Sequence, residues 1–294
     1  MSKIVVIGAS NIDTSYYVPV LPRPGESVHC VSKRMSSLGG KGLNQAVAVS
    51  RAGGDVAFFG CIGNDEEGRR IEHELNKESL SLHLQKMDAP TGSATILVEE
   101  SGENEVIVDS GANAYLDVSL LEKNIDLFES CSFILLQNEM PFPSNEWIFR
   151  KYGRKKRILY NPSPLCDIPN ELYSFLDTLI VNEIEANTLA NCSHSREAAK
   201  KLLSFGVKRV LMTAGKHGSY LFEGNETKYV EASNVPIVDT VGAGDTYAGY
   251  FVAALSKEYS VEKAMKFASL AAGKSVTKKG AFSSIPFAKD IILF

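Results

Sequence analysis

Asp239-Thr-Val-Gly-Ala-Gly-Asp-Thr-Tyr-Ala-Gly249 is the stretch on which the reading of this chain turns. A short apolar run, Val235 to Val238, precedes it, and an apolar-periodic segment, Tyr247 to Leu255, follows. The pattern predicts a strand, a glycine-rich turn and the first turn of a helix. Gly242, Ala243 and Gly244 would then leave backbone N–H groups free at the positive end of that helix, where an anion is readily held. Asp245 stands on the same turn. A carboxylate repels a neighbouring phosphate unless it has a task of its own, such as taking a proton from an attacking hydroxyl. The pairing points to phosphoryl transfer onto an alcohol. Taken alone, it leaves a second reading open, in which Asp245 only complements the helix dipole. No G-x-x-x-x-G-K-[ST] occurs anywhere, and no G-x-G-x-x-G follows the first apolar run. That removes P-loop enzymes and speaks against a dinucleotide-binding one.

The bulk properties set wide bounds. With 294 residues, 44% of them apolar and 22% charged, the chain can build one large α/β domain or two smaller ones. A net charge of −4 gives no general reason to bind nucleic acid or an anionic membrane. The one basic cluster, Arg150, Lys151, Arg154, Lys155, Lys156 and Arg157, reads as a solvated helix end before a strand at Ile158 to Tyr160. Five cysteines, at positions 30, 61, 131, 166 and 192, never reach C-x-x-C spacing, and the five histidines show no metal-ligand spacing. Cys61 and Cys131 lie in or beside apolar runs and read as small core residues. Asn11 and Asp13 interrupt the N-terminal apolar run, which is therefore a first strand and not a signal peptide. No apolar run approaches the length that spans a membrane. A reduced cytoplasm is the compartment these features lead one to expect.

Strand-like runs recur at Lys3–Ile7, Val56–Cys61, Phe133–Gln137, Arg157–Tyr160, Thr178–Val181 and Arg209–Thr213. Helical patterns lie between most of them, at Gly42–Arg51, Glu66–Lys77, Leu120–Phe128, Arg196–Phe205 and Val261–Ser275. The alternation predicts an α/β fold, a mostly parallel central sheet with helices on both faces. Ligands of such sheets gather at the carboxyl ends of the strands. Two stretches break the rhythm: Ser15–Leu21 and Ser27–Met35 read as strands with no helix between them. Gly92–Val98 and Glu105–Asp109 alternate around Ser101-Gly102-Glu103-Asn104, a hairpin signal. These four short strands are too few for a core of their own. They predict a small β-sheet lid, formed from about 14–37 and 92–110, on a single domain spanning 1–294. An exposed apolar face on such a lid invites a second copy, so a homodimer through the lid is expected.

Further blocks accompany the opening stretch: Gly8-Ala-Ser-Asn-Ile-Asp13, Leu21-Pro-Arg-Pro-Gly-Glu26, Gly39-Gly-Lys-Gly-Leu-Asn-Gln-Ala46 and Gly111-Ala-Asn113. Asn161-Pro-Ser-Pro164, Asn182-Glu-Ile-Glu185, Lys279-Gly-Ala281 and Ser284-Ile-Pro286 follow. With these the chain resembles the ribokinase family of ATP-dependent sugar kinases, over Gly8 to Pro286. The Gly39 and Asp245 blocks, in this order and at this distance, carry most of the specificity.

The resemblance implies a ribokinase-like fold and a role for each residue. Asp245 would be the base that deprotonates the sugar's primary hydroxyl, with the N–H groups of Gly242, Ala243 and Gly244 holding charge on the transferring phosphoryl group. Asn11, Asp13, Gly39, Gly40, Asn44 and Glu139 match the family's sugar contacts, and Lys41 is placed to reach the phosphates. Asn11 occupies the position expected to face a ring hydroxyl, where deoxyribose kinases carry an apolar residue, and so favours ribose. Asn182, Thr213, Gly215, Gly218, Gly244 and Ser269 fall on nucleotide-binding positions, and Glu185 on the residue that holds Mg²⁺ through water. Asp239, with Val241, Ser275, Lys278, Gly280 and Ser284, matches the site of an activating monovalent cation, K⁺. Two departures stand out: Ser269 replaces the more usual Asn or His, and Asn138-Glu139 replaces Leu-Glu. The expected reaction is transfer of the γ-phosphoryl group of ATP to the primary hydroxyl of a pentose, ribose foremost. The same chemistry on 2-deoxyribose, another sugar or a nucleoside stays open. A non-catalytic sugar-binding regulatory protein would have no need of the intact Asp245 and Gly242–Gly244 pair.

Overall fold

The computed structural model describes residues 3–99 and 103–291. Its strands are Ile4–Ile7 (β1), Asn11–Val18 (β2), Met35–Gly39 (β3), Val56–Gly63 (β4), Ser81–Met87 (β5), Gly92–Glu99 (β6) and Asn104–Asp109 (β7). Phe133–Leu136 (β8), Arg157–Tyr160 (β9), Thr178–Asn182 (β10), Arg209–Thr213 (β11), Ser219–Glu223 (β12) and Glu226–Val230 (β13) complete them. The α-helices are Lys41–Arg51 (α1), Glu66–Leu75 (α2), Val118–Lys123 (α3), Ile125–Glu129 (α4), Phe142–Tyr152 (α5), Glu183–Ala190 (α6), Ser195–Ser204 (α7), Ala243–Ser256 (α8) and Val261–Ser275 (α9).

Nine strands form one sheet in the order β13-β12-β11-β10-β9-β8-β1-β4-β5. Pairing is parallel from β11 through to β5, and antiparallel only at the β11–β12–β13 edge. The interior strands read as unbroken apolar runs because both of their faces are covered. Alternate residues serve different cores. Ile4, Val6, Phe58, Leu135, Leu159 and Leu211 face a cluster with α1, α8 and α9. Val5, Ile7, Phe59, Ile134, Leu136 and Ile158 face a cluster built with α5, α6 and α7. The expected ribokinase-like architecture is thus the observed one. From β1 the chain winds outward to β4 and β5, then returns to β8 on the other side. The crevice at the carboxyl ends of β1 and β8 is the switch point where such sheets bind ligands.

A second, four-stranded sheet has the order β3-β2-β6-β7. It is the lid. β2 leaves β1 after only Gly8, Ala9 and Ser10, and it pairs parallel to β6 with Asn11 opposite Gly92.

Several expected elements fall differently. Val235–Val238 is no strand: Pro236 removes a donor there, and Ile237 and Val238 are exposed, crossing the surface toward the glycine turn. Ser27–Arg34 forms no strand either; it is exposed, and the lid's second strand is Met35–Gly39, whose register sets Met35 against Ser15. The first lid strand begins at Asn11 and ends at Val18, ahead of Pro19. The helix expected over Leu120–Phe128 is split at Asn124, whose side-chain amide donates to the Leu120 carbonyl at 2.9 Å. Asn side chains compete with the helical backbone in this way. Of the expected hairpin turn, Ser101 and Gly102 lie outside the described residues. All five cysteines are free; Cys61 and Cys131 are buried, and burial pushes their thiols up to about 12 and about 11.

Helices α1 and α8 pack closely at Gly249. A Cβ on Gly249 would lie 2.5 Å from Ala48 Cβ and 2.7 Å from the Gln45 carbonyl oxygen. Gly249→Ala is therefore expected to lower stability by about 1–3 kcal/mol through overpacking. A urea midpoint equal to that of the parent would show that the two helices have room to part.

Candidate active site

Four carboxylates and one lysine converge at the crevice. Asp245 lies on the first turn of α8 and is 6% exposed. Asp13 comes from β2, Glu139 from the loop after β8, and Glu185 from the first turn of α6. Lys41 opens α1, and its backbone N–H donates to Glu139 Oε2 at 2.7 Å. The negative charge of Asp245, with those of Glu139 and Glu185, holds the Lys41 ammonium above the usual lysine range against the opposing effect of burial. Burial, with the charge of Asp245 added, pushes the Asp13 carboxyl up to about 6. Burial likewise lifts Glu139 to about 7, although the Lys41 N–H and ammonium pull the other way. Concentrated acid groups of this kind mark functional sites more often than structural ones.

Glycines shape the site. Gly242 caps α8 in the left-handed region (φ 75), and a Cβ there would press on Ala281, 2.7 Å from its Cβ. Only glycine satisfies both demands. Gly39 lies against Asp13 so closely that a Cβ would overlap its carboxylate. Gly40 caps α1 at φ 88. At the α8 turn the predicted anion site differs in one respect: the Ala243 N–H donates to the Thr240 carbonyl at 3.2 Å. Gly242 and Gly244 carry no backbone hydrogen bond of this kind among the described residues, and a Cβ on Gly244 would meet nothing within 4 Å. The turn thus opens into free space at Gly244.

Polar atoms without partners point the same way. Asp13 Oδ1 and Asn44 Oδ1 are buried and accept no hydrogen bond. Buried polar groups are nearly always paired, so these two suit a ligand rich in hydroxyls. Asn11 is buried, and its Oδ1 accepts from Asn113 Nδ2 at 2.8 Å. That fixes the amide and leaves the Asn11 N–H₂ group as its donating end.

The outer residues are placed as follows. Asn182 and Glu185 form a capping box at the start of α6, Asn182 Oδ1 accepting from the Glu185 N–H at 2.8 Å and Glu185 Oε2 from the Asn182 N–H at 2.9 Å. The motif therefore has a local structural use, and it leaves Glu185 Oε1 free of that box. Thr213 ends β11, with Gly215 (φ 53) and Gly218 (φ 87) in the following turn. The Ser269 hydroxyl donates to the Glu231 carbonyl at 3.0 Å, tying α9 to the loop after β13. Asp239 joins two segments: its Oδ1 accepts from the Val241 N–H at 3.0 Å and its Oδ2 from the Gly280 N–H at 2.8 Å. Ser275 and Ser284 are buried, the Ser284 hydroxyl donating to the Ala281 carbonyl at 2.8 Å. Val241 is exposed, and Lys278 donates its N–H to the Ser275 carbonyl. Oxygens are the hard ligands an alkali cation takes, and here both of those on Asp239 and the Ser275 carbonyl already accept from N–H groups. Among the described residues no three His, Cys, Asp or Glu side chains gather as a metal cluster.

Sequence reasoning passed over the residues that hold this site from behind. Gln45, Gln137 and Asn161 are hydrogen-bonded to one another or to Asp245. All three stand inside or beside quoted blocks, yet nothing in their spacing shows that they meet. Two surface cavities lie elsewhere. One, of about 430 Å³, sits at the amino ends of β8 and β9, lined by Phe133, Lys156 and Arg157. The other, of about 390 Å³, lies between Cys166, Tyr173 and Thr188. Neither touches the carboxylates, so chemistry and not cavity size locates the site.

An acidic crevice at the switch point, beside the amino end of α8 where Gly244 opens into free space, is the arrangement that suits phosphoryl transfer to an alcohol. The chain belongs to the pfkB family of carbohydrate kinases, whose model matches residues 1–288. It is 34% identical to the ribokinase of Haemophilus influenzae, covering 99% of this chain and 97% of that one. The crystal structure of ribokinase from Thermotoga maritima superimposes with a TM-score of 0.93 at 34% identity, covering 99% of this chain and 98% of the other. Arabidopsis thaliana ribokinase, solved in complex with ribose and ATP, gives a TM-score of 0.85 at 29% identity over 98% of this chain and 96% of that one. The protein is an ATP-dependent carbohydrate kinase. No helix among the described residues is long and apolar enough to cross a membrane.

Proposed function

We propose that this enzyme transfers the γ-phosphoryl group of ATP to the primary hydroxyl of D-ribose, giving D-ribose 5-phosphate and ADP. The observation that carries the reading is Asp245, a buried carboxylate on the turn whose Gly244 faces open space. Asp245 takes the hydroxyl proton as that oxygen bonds to the γ-phosphorus. The bond from phosphorus to the β-phosphate oxygen breaks, and ADP leaves. The N–H groups of Gly242 and Gly244 face the charge on the phosphoryl oxygens, with that of Ala243 joining once it leaves the Thr240 carbonyl. Asp13, Asn44 and Glu139 accept sugar hydroxyls, and Gly39 and Gly40 let the sugar approach the backbone. Lys41 neutralises charge among the phosphates and carboxylates.

Asn11 bears on the sugar. Its donating end has its orientation fixed by Asn113, and an analogue lacking the matching hydroxyl leaves that donor unpaired. Asn182, Thr213, Gly215, Gly218 and Ser269 line the nucleotide side, and Glu185 Oε1 is available to hold Mg²⁺ through water, which supplies charge neutralisation at the phosphates. The loop tied by Asp239 offers K⁺ a set of oxygens. A homodimer through the lid is supported by the strand edges of β3 and β7 and by Ile107, 67% exposed, between exposed Val106 and Val108. A cytoplasmic location agrees with five free cysteines.

ADP release with Mg-ATP tests the reading across ribose, 2-deoxyribose, fructose, fructose 6-phosphate and adenosine, in K⁺ and in Na⁺. Ribose is expected to exceed 2-deoxyribose by roughly 10-fold or more in kcat/KM, and K⁺ to exceed Na⁺. Preference for another alcohol would overturn the substrate, and equal rates in the two salts would remove the cation site.

A further inference from the structure

We propose that Gln45 is a positioning residue that orients the Asp245 carboxylate for proton removal, held in turn by amides of the buried Gln137 and the half-buried Asn161. Gln45 and Gln137 are both completely buried. Gln45 Nε2 donates to Asp245 Oδ1 at 2.9 Å and to Asn161 Oδ1 at 3.2 Å. No other hydrogen bond to the Asp245 carboxylate occurs among the described residues.

A side-chain amide can be turned end for end, so its direction has to be fixed by its neighbours. Here it is fixed at both ends. Asn161 Nδ2 donates to the Ile180 carbonyl at 3.0 Å, which leaves Asn161 Oδ1 facing Gln45. Gln45 must then present its N–H₂ group to that side, where Asp245 also lies. Its Oε1 is left as an acceptor and receives Gln137 Nε2 at 2.6 Å. From Gln137 through Gln45 the donors thus run toward the carboxylate. The cost appears at the far end, where Gln137 Oε1 is buried against Gly8 and accepts nothing. An apolar residue in place of Gln137 would remove this orphan only by leaving the buried Gln45 Oε1 without its donor.

The chain has a rigid mount. Gln45 lies on α1 and Asp245 on α8, and these helices touch one turn further along at Gly249. With Oδ1 bound by Gln45, the carboxylate plane is set and Oδ2 is the oxygen left for the sugar hydroxyl. The inference rests on the reading of Asp245 as the base.

Three variants test it, each assayed on the alcohol that the parent enzyme turns over best. Gln45→Met keeps the length and removes the donor. It is expected to lower kcat about 10- to 100-fold, the factor expected on losing a hydrogen bond to a charged group. The sugar dissociation constant should change less than roughly twofold, because the contact is not made to the ground-state sugar. Gln137→Leu exchanges one buried orphan acceptor, Gln137 Oε1, for another, Gln45 Oε1, so it should lower kcat by a smaller factor while changing the thermal midpoint little, a split that a merely structural role would not give. In an Asp245→Asn background, adding Gln45→Met should cause no further loss. A weaker sugar affinity with kcat intact would make Gln45 a binding residue and overturn the proposal. So would activity lost only in proportion to unfolded protein, or full additivity with Asp245→Asn. A parent enzyme that phosphorylates none of the alcohols would overturn the functional reading together with this inference, whereas an active parent with an unaffected Gln45→Met overturns the inference alone.

Discussion

Asp245→Asn is expected to lower kcat about 10²- to 10⁴-fold while leaving sugar binding nearly intact, the signature of a lost general base. The replacement is nearly isosteric, and an amide oxygen can still accept from Gln45 Nε2. What disappears is the basicity that receives the hydroxyl proton. The electrostatics shift in a readable way as well. The charge of Asp245 is the foremost reason that Lys41 holds its proton so firmly, and it adds to the burial that raises Asp13. In the variant both groups should move back toward their ordinary values, so Asp13 is ionised more fully at neutral pH and remains a good acceptor for a sugar hydroxyl. Single-turnover rates beside a calorimetric titration with ribose separate the two effects. Near-normal turnover would take the base assignment away from Asp245.

Arg51→Met is expected to be the most damaging single change to stability among those considered, at about 3–5 kcal/mol, because it strands a buried charge. Arg51 closes α1 and pairs with Glu78 at 2.5 Å, each side chain only 9% exposed. Its Nη1 donates to the Phe282 carbonyl at 3.1 Å and to the Ile285 carbonyl at 2.7 Å. The guanidinium also lies 5.0 Å from the Phe282 ring centroid and 4.9 Å from that of Phe287. Methionine fills much of the volume but leaves Glu78 unpaired and two carbonyls short of a donor. The same C-terminal segment carries Gly280, which Asp239 holds, and Ala281, which packs beneath Gly242. Urea unfolding gives the size of the loss. A double replacement, Arg51→Met with Glu78→Met, should recover part of it, since a buried pair is often no better than an apolar one. No recovery would mean that the carbonyl contacts, and not the ion pair, carry the stability.

How much of this could be read from the chain follows from which interactions are local. The parallel strands were legible because burial on both faces makes them continuous apolar runs, as in Ile4–Ile7 and Phe133–Leu136. Ser81–Met87 was passed over: it is the outermost parallel strand, half-buried and mixed in character, so neither pattern stands out. The Ser219–Glu223 and Glu226–Val230 hairpin was missed although Gly224-Asn225 between them is a two-residue turn signal. Val235–Val238 erred the other way, since apolar composition does not require a partner strand. At the site, carboxylates and glycines stand in compact blocks whose spacing reports their local geometry. Gln45 stands 200 positions from Asp245 and 92 from Gln137, and only the packing of α1 against α8 and the central sheet at β1 and β4 brings them together.

Asn11 and Asn113 have a consequence for how such an enzyme could change over generations. Asn113 Nδ2 donates to Asn11 Oδ1 at 2.8 Å and to the Ser10 carbonyl at 3.2 Å, while Asn113 Oδ1 accepts from the Ser10 N–H at 3.0 Å. An apolar side chain at Asn11 would strip one acceptor from a donor that is itself completely buried, 1% exposed. If sugar preference is set at Asn11, a lineage moving to a sugar without that hydroxyl meets a loss of stability at its first step. The compensating change lies 102 positions away on a different loop. The two sites are then expected to be epistatic, and the order in which they mutate would decide whether the path stays open.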